Sequence, residues 1–432
     1  MGRTTKQNDI LLVSLRSPFL DNSKVYPPLG LLYLKAALKE QGLDADIEDE
    51  FDPNNTNFDG KKYHHYSYVG ASIMTPQRQL SNELLYWFRH NTSAITIAGG
   101  PHVQHYLRDI QNEPWHFLVS GDGEKSLPDI VMGRLKERVS KHYLRPSELQ
   151  LMPRPDRLGN KELLENYNYE LDGKRSTTML VGRGCPMKCT FCEDANTPSR
   201  WTHIDTFHRE LEDIVTLGYG GVYVFDDLFA ISKRKIQPYL DGFSKNNLVY
   251  RCNGHAKFMD DEFAQMLSSS GCREIAFGAE SGSQLILDNV KKETTSQQNY
   301  DFVQHCHKYG IKVKAFLMIG LPGETINTIR DTEDFIKNSG IDDFQLAIYY
   351  PFAGTQIRDS IDRGDNSMDI KFEGEGLGAY GQKGGKTESV VRTSALSSQQ
   401  LMEERDRLVK TYKPRSHSQM NDGFFEAHMN NG

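Results

Sequence analysis

The stretch Gly184–Cys185–Pro186–Met187–Lys188–Cys189–Thr190–Phe191–Cys192 places three cysteines within eight residues, separated by three residues and then by two. It holds half of the 6 cysteines in a chain of 432 residues. Clustered cysteines in a chain of this length favour metal or redox chemistry over a disulfide scaffold. The glycine, proline and lysine of the stretch make it polar and rich in turns, which is atypical of a core segment. The stretch therefore predicts a loop that binds metal.

Three thiols on one loop leave an iron–sulfur cluster one ligand short. A [4Fe–4S] cluster binds one cysteine thiolate per iron. Cys185, Cys189 and Cys192 would hold three irons, and the fourth iron would bind an outside ligand or a substrate. The incomplete ligand set thus predicts a cluster with an open iron.

Zinc is the competing metal. A structural zinc site needs paired cysteines or a Cys/His set, and His203 and His208 follow the loop at spacings that match no common zinc motif. The remaining cysteines, Cys252, Cys272 and Cys306, are single and distant along the chain. We interpret them as core residues; for Cys252, which lies between the rim candidates Arg251 and Asn253, contact with the active site is the alternative.

The bulk composition narrows the function classes. Hydrophobic residues make up 38% of the chain, which is enough for real cores, and the length predicts two or three domains. A net charge of −7 gives no general attraction to nucleic acid or to anionic lipid. No apolar run approaches the roughly 18 residues of a membrane helix, and the N-terminus lacks the apolar core of a signal peptide. We expect a cytoplasmic protein without nucleic-acid or membrane partners.

Residues 1–145 alternate strand and helix patterns. Apolar runs predict strands at 10–14, 44–48, 68–73, 95–98 and 117–120. The alternation predicts an α/β domain with a Rossmann-like, doubly wound parallel sheet.

Ligands of such sheets lie beyond the carboxyl ends of the strands. The candidate cofactor-binding residues there are Ser72, Thr75, Gly99, Gly100, His102, Gly121 and Glu124. Their glycines would let the backbone approach a large flat ligand, or they would simply form tight turns. The sequence contains neither G-x-G-x-x-G nor a P-loop, so a dinucleotide or ATP is disfavoured.

A second α/β series follows a linker predicted for residues 146–176, where Pro153 and Pro155 stand in a polar context. Six βα units over 177–360 predict a partial, open-sided (β/α)6 TIM-like barrel. Residues 361–432 form a small C-terminal extension. Barrel sites are built at the carboxyl ends of the strands, and the polar or glycine residues expected there are Asp226, Asp227, Arg251, Asn253, Glu280, Ser281 and Gly320.

The spacing Cys185-x-x-x-Cys189-x-x-Cys192, with Phe191 before the last cysteine and at the end of the first barrel strand, resembles the radical SAM superfamily. In that family the amino and carboxylate groups of S-adenosylmethionine (SAM) bind the open iron. An electron from the cluster then splits SAM and gives a 5′-deoxyadenosyl radical. The resemblance implies three metal ligands, Cys185, Cys189 and Cys192, and an external electron donor such as flavodoxin or ferredoxin.

The same resemblance assigns SAM-binding roles along the barrel rim. It implies that SAM is contacted by Phe191, Asp226, Asp227, Arg251, Asn253, Glu280, Ser281 and Gly320. Alternatively, Asp226 and Asp227 would form a solvated turn, and Glu280 would cap the N-terminus of a helix.

The first domain resembles the cobalamin-binding group of that superfamily. The similar segments are Tyr26–Pro27–Pro28–Leu29–Gly30, Gly99–Gly100–Pro101–His102 and Gly121–Asp122–Gly123–Glu124. The Asp-x-His-x-x-Gly motif, whose histidine binds cobalt in classical domains, is absent. The resemblance therefore implies cobalamin held base-off, or a domain that has lost this cofactor.

Three functions remain open. The first is a cobalamin-dependent radical SAM methyltransferase that acts on an unactivated carbon of a small-molecule or peptide substrate. The second is a radical enzyme of the same layout that catalyses oxidative cyclisation or rearrangement without methyl transfer. The third is a non-enzymatic Fe–S electron carrier or sensor, against which the polar barrel rim argues.

Overall fold

The computed structural model describes residues 9–16, 22–373 and 389–412. The chain divides into two compact units, with the boundary between Tyr167 and Asn168. The predicted C-terminal extension is described over 361–373 and 389–412, and the rest of it lies outside the described residues. No helix in these parts of the chain is both long and apolar enough to cross a membrane.

The first unit alternates strands with helices. Its strands are β1 (Ile10–Leu15), β2 (Asp46–Phe51), β3 (Tyr68–Ser72), β4 (Ile95–Gly99), β5 (Phe117–Val119) and β6 (Val139–Ser140). Its helices are α1 (Leu29–Lys39), α2 (Arg78–Asn91), α3 (Pro101–His105), α4 (Leu107–Ile110), α5 (Gly123–Val131), α6 (Pro146–Leu149) and α7 (Lys161–Leu164).

The strands of the first unit form one parallel sheet in the order β2-β1-β3-β4-β5-β6. Strand β1, the second in this order, is buried on both faces: Leu11 and Val13 belong to one hydrophobic cluster, and Ile10 and Leu12 to another. Burial on both faces is typical of a parallel sheet covered by helices. The predicted doubly wound fold is confirmed, and the order of strands reverses between β1 and β3.

One strand boundary in the first unit differs from the sequence prediction. The second strand runs from Asp46 to Phe51, later than the predicted 44–48. Helix α5 contains Pro128 as its sixth residue. A proline at that position cannot donate a backbone hydrogen bond to the preceding turn of the helix.

The stretch that composition assigns to a linker is tied to α1. The amide of Asp156 donates to the Leu32 carbonyl at 3.1 Å, and Lys39 Nζ lies 2.7 Å from the Asp156 carboxylate. Lys35 Nζ also donates to the Asn160 side chain at 3.3 Å. These bonds attach the segment to the first unit.

The second unit contains the barrel-like sheet. Its strands are β7 (Glu170–Leu171), β8 (Lys174–Met179), β9 (Gly182–Arg183), β10 (Arg200–Trp201), β11 (Gly221–Val224), β12 (Val249–Gly254), β13 (Cys272–Glu280), β14 (Lys312–Ile319), β15 (Asp343–Ile348), β16 (Lys371–Phe372) and β17 (Val391–Arg392). Its helices are α8 (Ile204–Thr216), α9 (Lys233–Lys245), α10 (Asp261–Ser269), α11 (Gln284–Asn289), α12 (Ser296–Lys308), α13 (Ile326–Asn338), α14 (Gln356–Asp362) and α15 (Ser398–Tyr412).

Six consecutive parallel strands, β8 and β11 to β15, pair in chain order, and β7 adds an antiparallel edge beside β8. The sheet ends at β15 and β7, which confirms the predicted open, partial barrel. One hydrophobic cluster fills it and includes Cys252, Cys272 and Cys306, each fully buried. The barrel strands therefore present their carboxyl ends along one rim.

Candidate functional site

The cysteine loop begins where β8 ends, and Asp226 fixes its start. The two carboxylate oxygens of Asp226 accept hydrogen bonds from the amides of Val181, at 2.8 Å, and Gly182, at 2.6 Å. Burial raises the pKa of Asp226 well above its usual value, and the two amide bonds oppose that effect. Asp226, which follows β11, thus anchors the neighbouring strand's loop.

A glycine turn and a threonine close the loop on itself. Gly184 has φ +87°, and a Cβ there would lie 2.5 Å from the Pro198 carbonyl oxygen. Because a side chain would meet backbone, only glycine fits this position. Thr197 Oγ1 accepts from the Cys185 amide at 2.8 Å, and the Thr197 amide donates to the Cys185 carbonyl at 2.9 Å.

The three cysteines share one apolar group with Met187 and Leu228. Cys189 is buried, and Cys185 and Cys192 are partly buried. Burial raises the pKa of Cys189 to about 11 and that of Cys192 to about 12, and it raises the pKa of Cys185 as well. Metal binding requires deprotonated thiols, so a metal centre bound here must displace these protons.

The grouping of these thiols is compatible with a cluster. In a [4Fe–4S] cluster each thiolate binds a different iron, so the three sulfurs need not converge on one position. Three thiols in one apolar group therefore suit three ligands of such a cluster. Among the described residues, no three His, Cys, Asp or Glu side chains converge on one position for a metal ion.

Asp227 and Asn253 lie on the same rim as the loop. Asp227 Oδ2 accepts from the Gly184 amide at 3.1 Å. The Asn253 side-chain amide donates to the Asp226 carbonyl at 2.9 Å, and its oxygen accepts from Tyr223 at 3.4 Å. The structure thus brings these two predicted residues together around the start of the cysteine loop.

Arg251 lies deeper in the barrel. Its side chain is fully buried, and its guanidinium stacks over the Tyr223 ring at 4.5 Å. A buried guanidinium on an aromatic face is a cation–π contact. The predicted rim residue is therefore a buried charge inside the strand layer of the barrel.

Glu280 ends β13 and pairs with a residue that the sequence pattern did not single out. Lys292 Nζ lies 2.7 Å from Glu280 Oε1, and the side chains are 6% and 8% exposed. Burial alone would lower the pKa of Lys292, but the negative charges of the Glu280 carboxylate and of a Cys189 thiolate outweigh burial and raise it. Lys292 follows the end of helix α11 and belongs to no recognisable motif. The sequence therefore did not predict that it pairs with Glu280.

Phe191, Ser281 and Gly320 have local structural roles. Phe191 packs against the cysteine group. Ser281 Oγ lies 3.0 Å from Thr332 Oγ1 and accepts from the Ser283 amide at 3.1 Å. The Gly320 amide donates to the Glu324 carboxylate at 3.2 Å.

His255 is a second site residue that sequence reasoning missed. It follows β12 and is 5% exposed, and its Nδ1 accepts from the Lys257 amide at 3.2 Å. Its Nε2 has no hydrogen-bond partner among the described residues. Burial, with the nearby charges of Lys292 and Lys257, lowers the pKa of His255 to about 2. A neutral ring whose Nδ1 accepts carries its proton on Nε2, so this N–H is an orphaned donor at the rim. The sequence feature that could have identified His255 is its position one residue after the barrel strand β12.

The predicted residues of the first unit follow the carboxyl ends of its strands. Ser72 ends β3, Gly99 ends β4, and Gly121 follows β5. The crevice of a doubly wound sheet lies where strand order reverses, here between β1 and β3, so Ser72 and the nearby Thr75 flank it. Both side chains and Gly99 are half-buried, so they remain partly accessible at this edge of the sheet.

Two of the glycines serve the packing of the chain itself. A Cβ on Gly100, whose φ is +91°, would lie 2.7 Å from the Ile73 amide nitrogen. A Cβ on Gly121, whose φ is +128°, would overlap the His142 carbonyl oxygen. Tight packing therefore accounts for these two positions, and Glu124 is buried in α5.

His102 is committed to contacts within its own unit. Its ring is buried, with Nδ1 3.4 Å from Thr75 Oγ1 and Nε2 3.2 Å from the Asp109 carboxylate. The ring also stacks on Tyr106 with centroids 5.3 Å apart. Burial lowers the pKa of His102 to about 4. With both nitrogens engaged, His102 is not placed as a cobalt ligand, which suits a cofactor held without a histidine.

Comparisons with known proteins agree with this geometry. Residues 179–336 match the model of the radical SAM superfamily. The chain is 26% identical over 369 residues to an uncharacterised methyltransferase of Pyrococcus horikoshii, covering 77% of each protein. It is 24% identical over 339 residues to the anaerobic magnesium-protoporphyrin IX monomethyl ester cyclase of Rubrivivax gelatinosus, covering 71% of this chain and 60% of the cyclase.

A solved structure shares the fold. It is that of the radical S-adenosylmethionine methyltransferase TsrM from Kitasatospora setae, with cobalamin and a [4Fe–4S] cluster bound. The TM-score is 0.69 at 18% identity, and the match covers 85% of this chain and 80% of TsrM. The two-part α/β architecture is therefore that of a known radical SAM structure.

Proposed function

This chain belongs to the radical SAM superfamily, and from that membership we propose that it is a cobalamin-dependent methyltransferase acting on an unactivated carbon. The observation that carries the proposal is the loop with Cys185, Cys189 and Cys192 in one apolar group at the end of the first barrel strand. When bound, the cluster, SAM and cobalamin supply one-electron cleavage and methyl transfer that side chains cannot provide. The protein contributes binding, orientation and exclusion of water.

The residues of the barrel divide these tasks. The three cysteines hold the cluster, and Asp226 sets the start of their loop through the amides of Val181 and Gly182. The polar groups of SAM would be met by Asp227, Glu280 and the Nε2–H of His255. Phe191, Arg251, Asn253, Ser281 and Gly320 complete the proposed SAM environment.

The first unit would hold cobalamin at the carboxyl edge of its sheet. Ser72, Thr75 and Gly99 flank the proposed crevice, while Gly100, His102, Gly121 and Glu124 shape the turns around it. Because both nitrogens of His102 are engaged, the proposed cofactor is base-off and has no histidine ligand.

The relatives support two outcomes of the same chemistry. The Pyrococcus relative is named a methyltransferase, which supports methyl transfer. The Rubrivivax relative is named a cyclase, which supports oxidative cyclisation as the second candidate. An electron donor such as flavodoxin or ferredoxin would supply the reducing electron in either case.

Product analysis separates the candidates. Purified, cluster-reconstituted protein is incubated anaerobically with reductant, a metabolite extract and SAM that carries a deuterated methyl group. Methyl transfer predicts S-adenosylhomocysteine, 5′-deoxyadenosine and a new product that bears the labelled methyl. Formation of 5′-deoxyadenosine alone would exclude methyl transfer and favour cyclisation or rearrangement. Formation of neither would favour an electron carrier.

A further inference from the structure

A buried ion pair lies on a segment that is bonded to the cysteine loop. Lys292 Nζ is 2.7 Å from Glu280 Oε1, with both side chains less than a tenth exposed. Enclosing two charges has a desolvation penalty that often exceeds their attraction, so such a pair is weak evidence for stability. Stability alone therefore does not account for this pair.

The backbone around Glu280 has an unusual conformation. Glu280 has φ +58°, in the left-handed region that non-glycine residues rarely adopt. The register between β13 and β14 shifts between Gly278 and Glu280. A Cβ on Gly278 would overlap Glu280 Oε1 and lie 2.7 Å from Lys292 Nζ. The strand thus combines a strained residue, a bulge and a closely packed glycine at one point, and backbone strain of this kind clusters at functional sites.

The segment that carries Lys292 is bonded to the cysteine loop. The amide of Thr190, which lies between two of the cluster ligands, donates to the Val290 carbonyl at 3.0 Å. Lys292 follows two residues later. Its charge interacts with the thiols of Cys185, Cys189 and Cys192, and the Thr190–Val290 bond holds its segment against the loop that carries these proposed cluster ligands.

A charge in this place affects electron uptake. Reduction adds one negative charge to a cluster that already carries three thiolates. Net charge, hydrogen bonds and solvent exposure around a cluster set its reduction potential. A cation within a weakly screening interior attracts the added charge more strongly than it would in water, and so it favours the reduced state.

We propose that Lys292 is a positioning residue of the cluster. Its ammonium fixes the Glu280 carboxylate and raises the reduction potential of the cluster, so the cluster accepts an electron more readily. The inference rests on the proposed function in one respect: the cysteine loop must bind a cluster. It does not depend on the substrate or on methyl transfer.

The test is a redox titration of the full-length, cluster-reconstituted protein, with the reduced cluster followed by electron paramagnetic resonance. Lys292→Gln should shift the midpoint potential to a more negative value, and Lys292→Arg should keep it near that of the wild type. Lys291→Gln is the matched control, because Lys291 is the adjacent lysine and is exposed. It should leave the potential unchanged.

Removing the partner charge gives a second, opposite readout. Glu280→Gln should shift the potential to a more positive value, and the double variant with Lys292→Gln should lie closer to the wild type than Lys292→Gln alone. Structural damage alone would not produce shifts of opposite sign. A potential unchanged in Lys292→Gln, or a negative shift in Glu280→Gln, would overturn the inference. If Lys292→Gln does not fold, the direction of the Glu280→Gln shift decides. Wild-type protein that takes up no cluster would refute the proposed function instead.

Discussion

At the residue scale, His255 is a buried side chain whose hydrogen bonding is incomplete without a ligand. Its Nε2 lacks a partner among the described residues, while its Nδ1 is engaged. An unsatisfied buried donor costs about 1–3 kcal/mol, and a ligand acceptor would remove that cost. The ring stays neutral across ordinary pH because its pKa is lowered to about 2.

Replacing His255 by leucine tests this role. The unfolding free energy of the ligand-free protein should stay equal or rise by about 1 kcal/mol, because the orphaned N–H is gone. The affinity of the reconstituted protein for SAM should fall roughly tenfold, equivalent to about 1.4 kcal/mol. Denaturant unfolding and equilibrium SAM binding provide the two measurements. His203→Gln, at an exposed position, is the control, and unchanged SAM affinity in His255→Leu would contradict the assignment.

At the element scale, the bulge at the end of β13 determines where Glu280 and Lys292 meet. Gly278→Ala should lower the unfolding free energy of the second unit by roughly 1–3 kcal/mol, since the new methyl overlaps an enclosed side chain. Gly310→Ala is the comparison: its φ is +71°, but nothing lies within 4 Å of the added Cβ. It should cost about 1 kcal/mol from backbone strain alone. Denaturant unfolding measures both free energies. Equal losses of stability in the two variants would show that the Glu280 and Lys292 side chains can move to accommodate the added methyl.

The loop after β14 has its own dependence on pH. Burial raises the pKa of Glu324 to about 7 from 4.5. Between those values the folded state binds more protons than the unfolded state, so stability is highest below pH 4.5 and falls as pH rises through 7. The full effect is on the order of 3 kcal/mol. Glu324→Gln should remove it, as measured by denaturant unfolding at pH 5 and pH 8. Parallel changes in the two proteins would contradict this prediction.

The sequence predicted the elements better than the contacts between them. Alternating apolar runs indicated the first five strands of the first unit and the six barrel strands, because burial and period are local properties. The two-residue strand β6 was too short to leave a pattern. The Glu280–Lys292 pair could not be predicted, since it joins a strand end to a loop 12 residues later through a bulge.

The same limit applies to individual roles at the site. Asp226 was predicted at the rim, and it is there, but its carboxylate binds the amides of a different strand's loop. His102 was found by its place after a glycine turn, yet only the fold shows that Thr75 and Asp109 engage both ring nitrogens. Position along a strand is readable from sequence, whereas the partner of a side chain depends on tertiary packing.

At the scale of the whole molecule, the chain has two units with separate proposed cofactors. Gly99→Leu should reduce cobalamin uptake by the full-length protein at least roughly tenfold, a loss of about 1.4 kcal/mol in binding. A leucine at Gly99 would add bulk at the carboxyl end of β4, beside the proposed crevice, because an added Cβ meets only ordinary contacts with Val119 at 3.7 Å and beyond. Formation of 5′-deoxyadenosine from SAM, a property of the second unit, should persist. Absorbance of bound cobalamin and chromatography of the nucleoside measure the two properties, and undiminished cobalamin uptake would contradict the placement.

The central claim is that Cys185, Cys189 and Cys192 hold a cluster that cleaves SAM. The most direct test is anaerobic assay of the reconstituted full-length protein with a chemical reductant and SAM, scoring iron content and 5′-deoxyadenosine. The wild type should bind about four irons at this site and form the nucleoside, and alanine at any of the three cysteines should abolish its formation. Cys272→Ala, which changes a core thiol, should retain both properties. SAM cleavage retained by any of the three loop variants, or absent from the wild type, would contradict the claim.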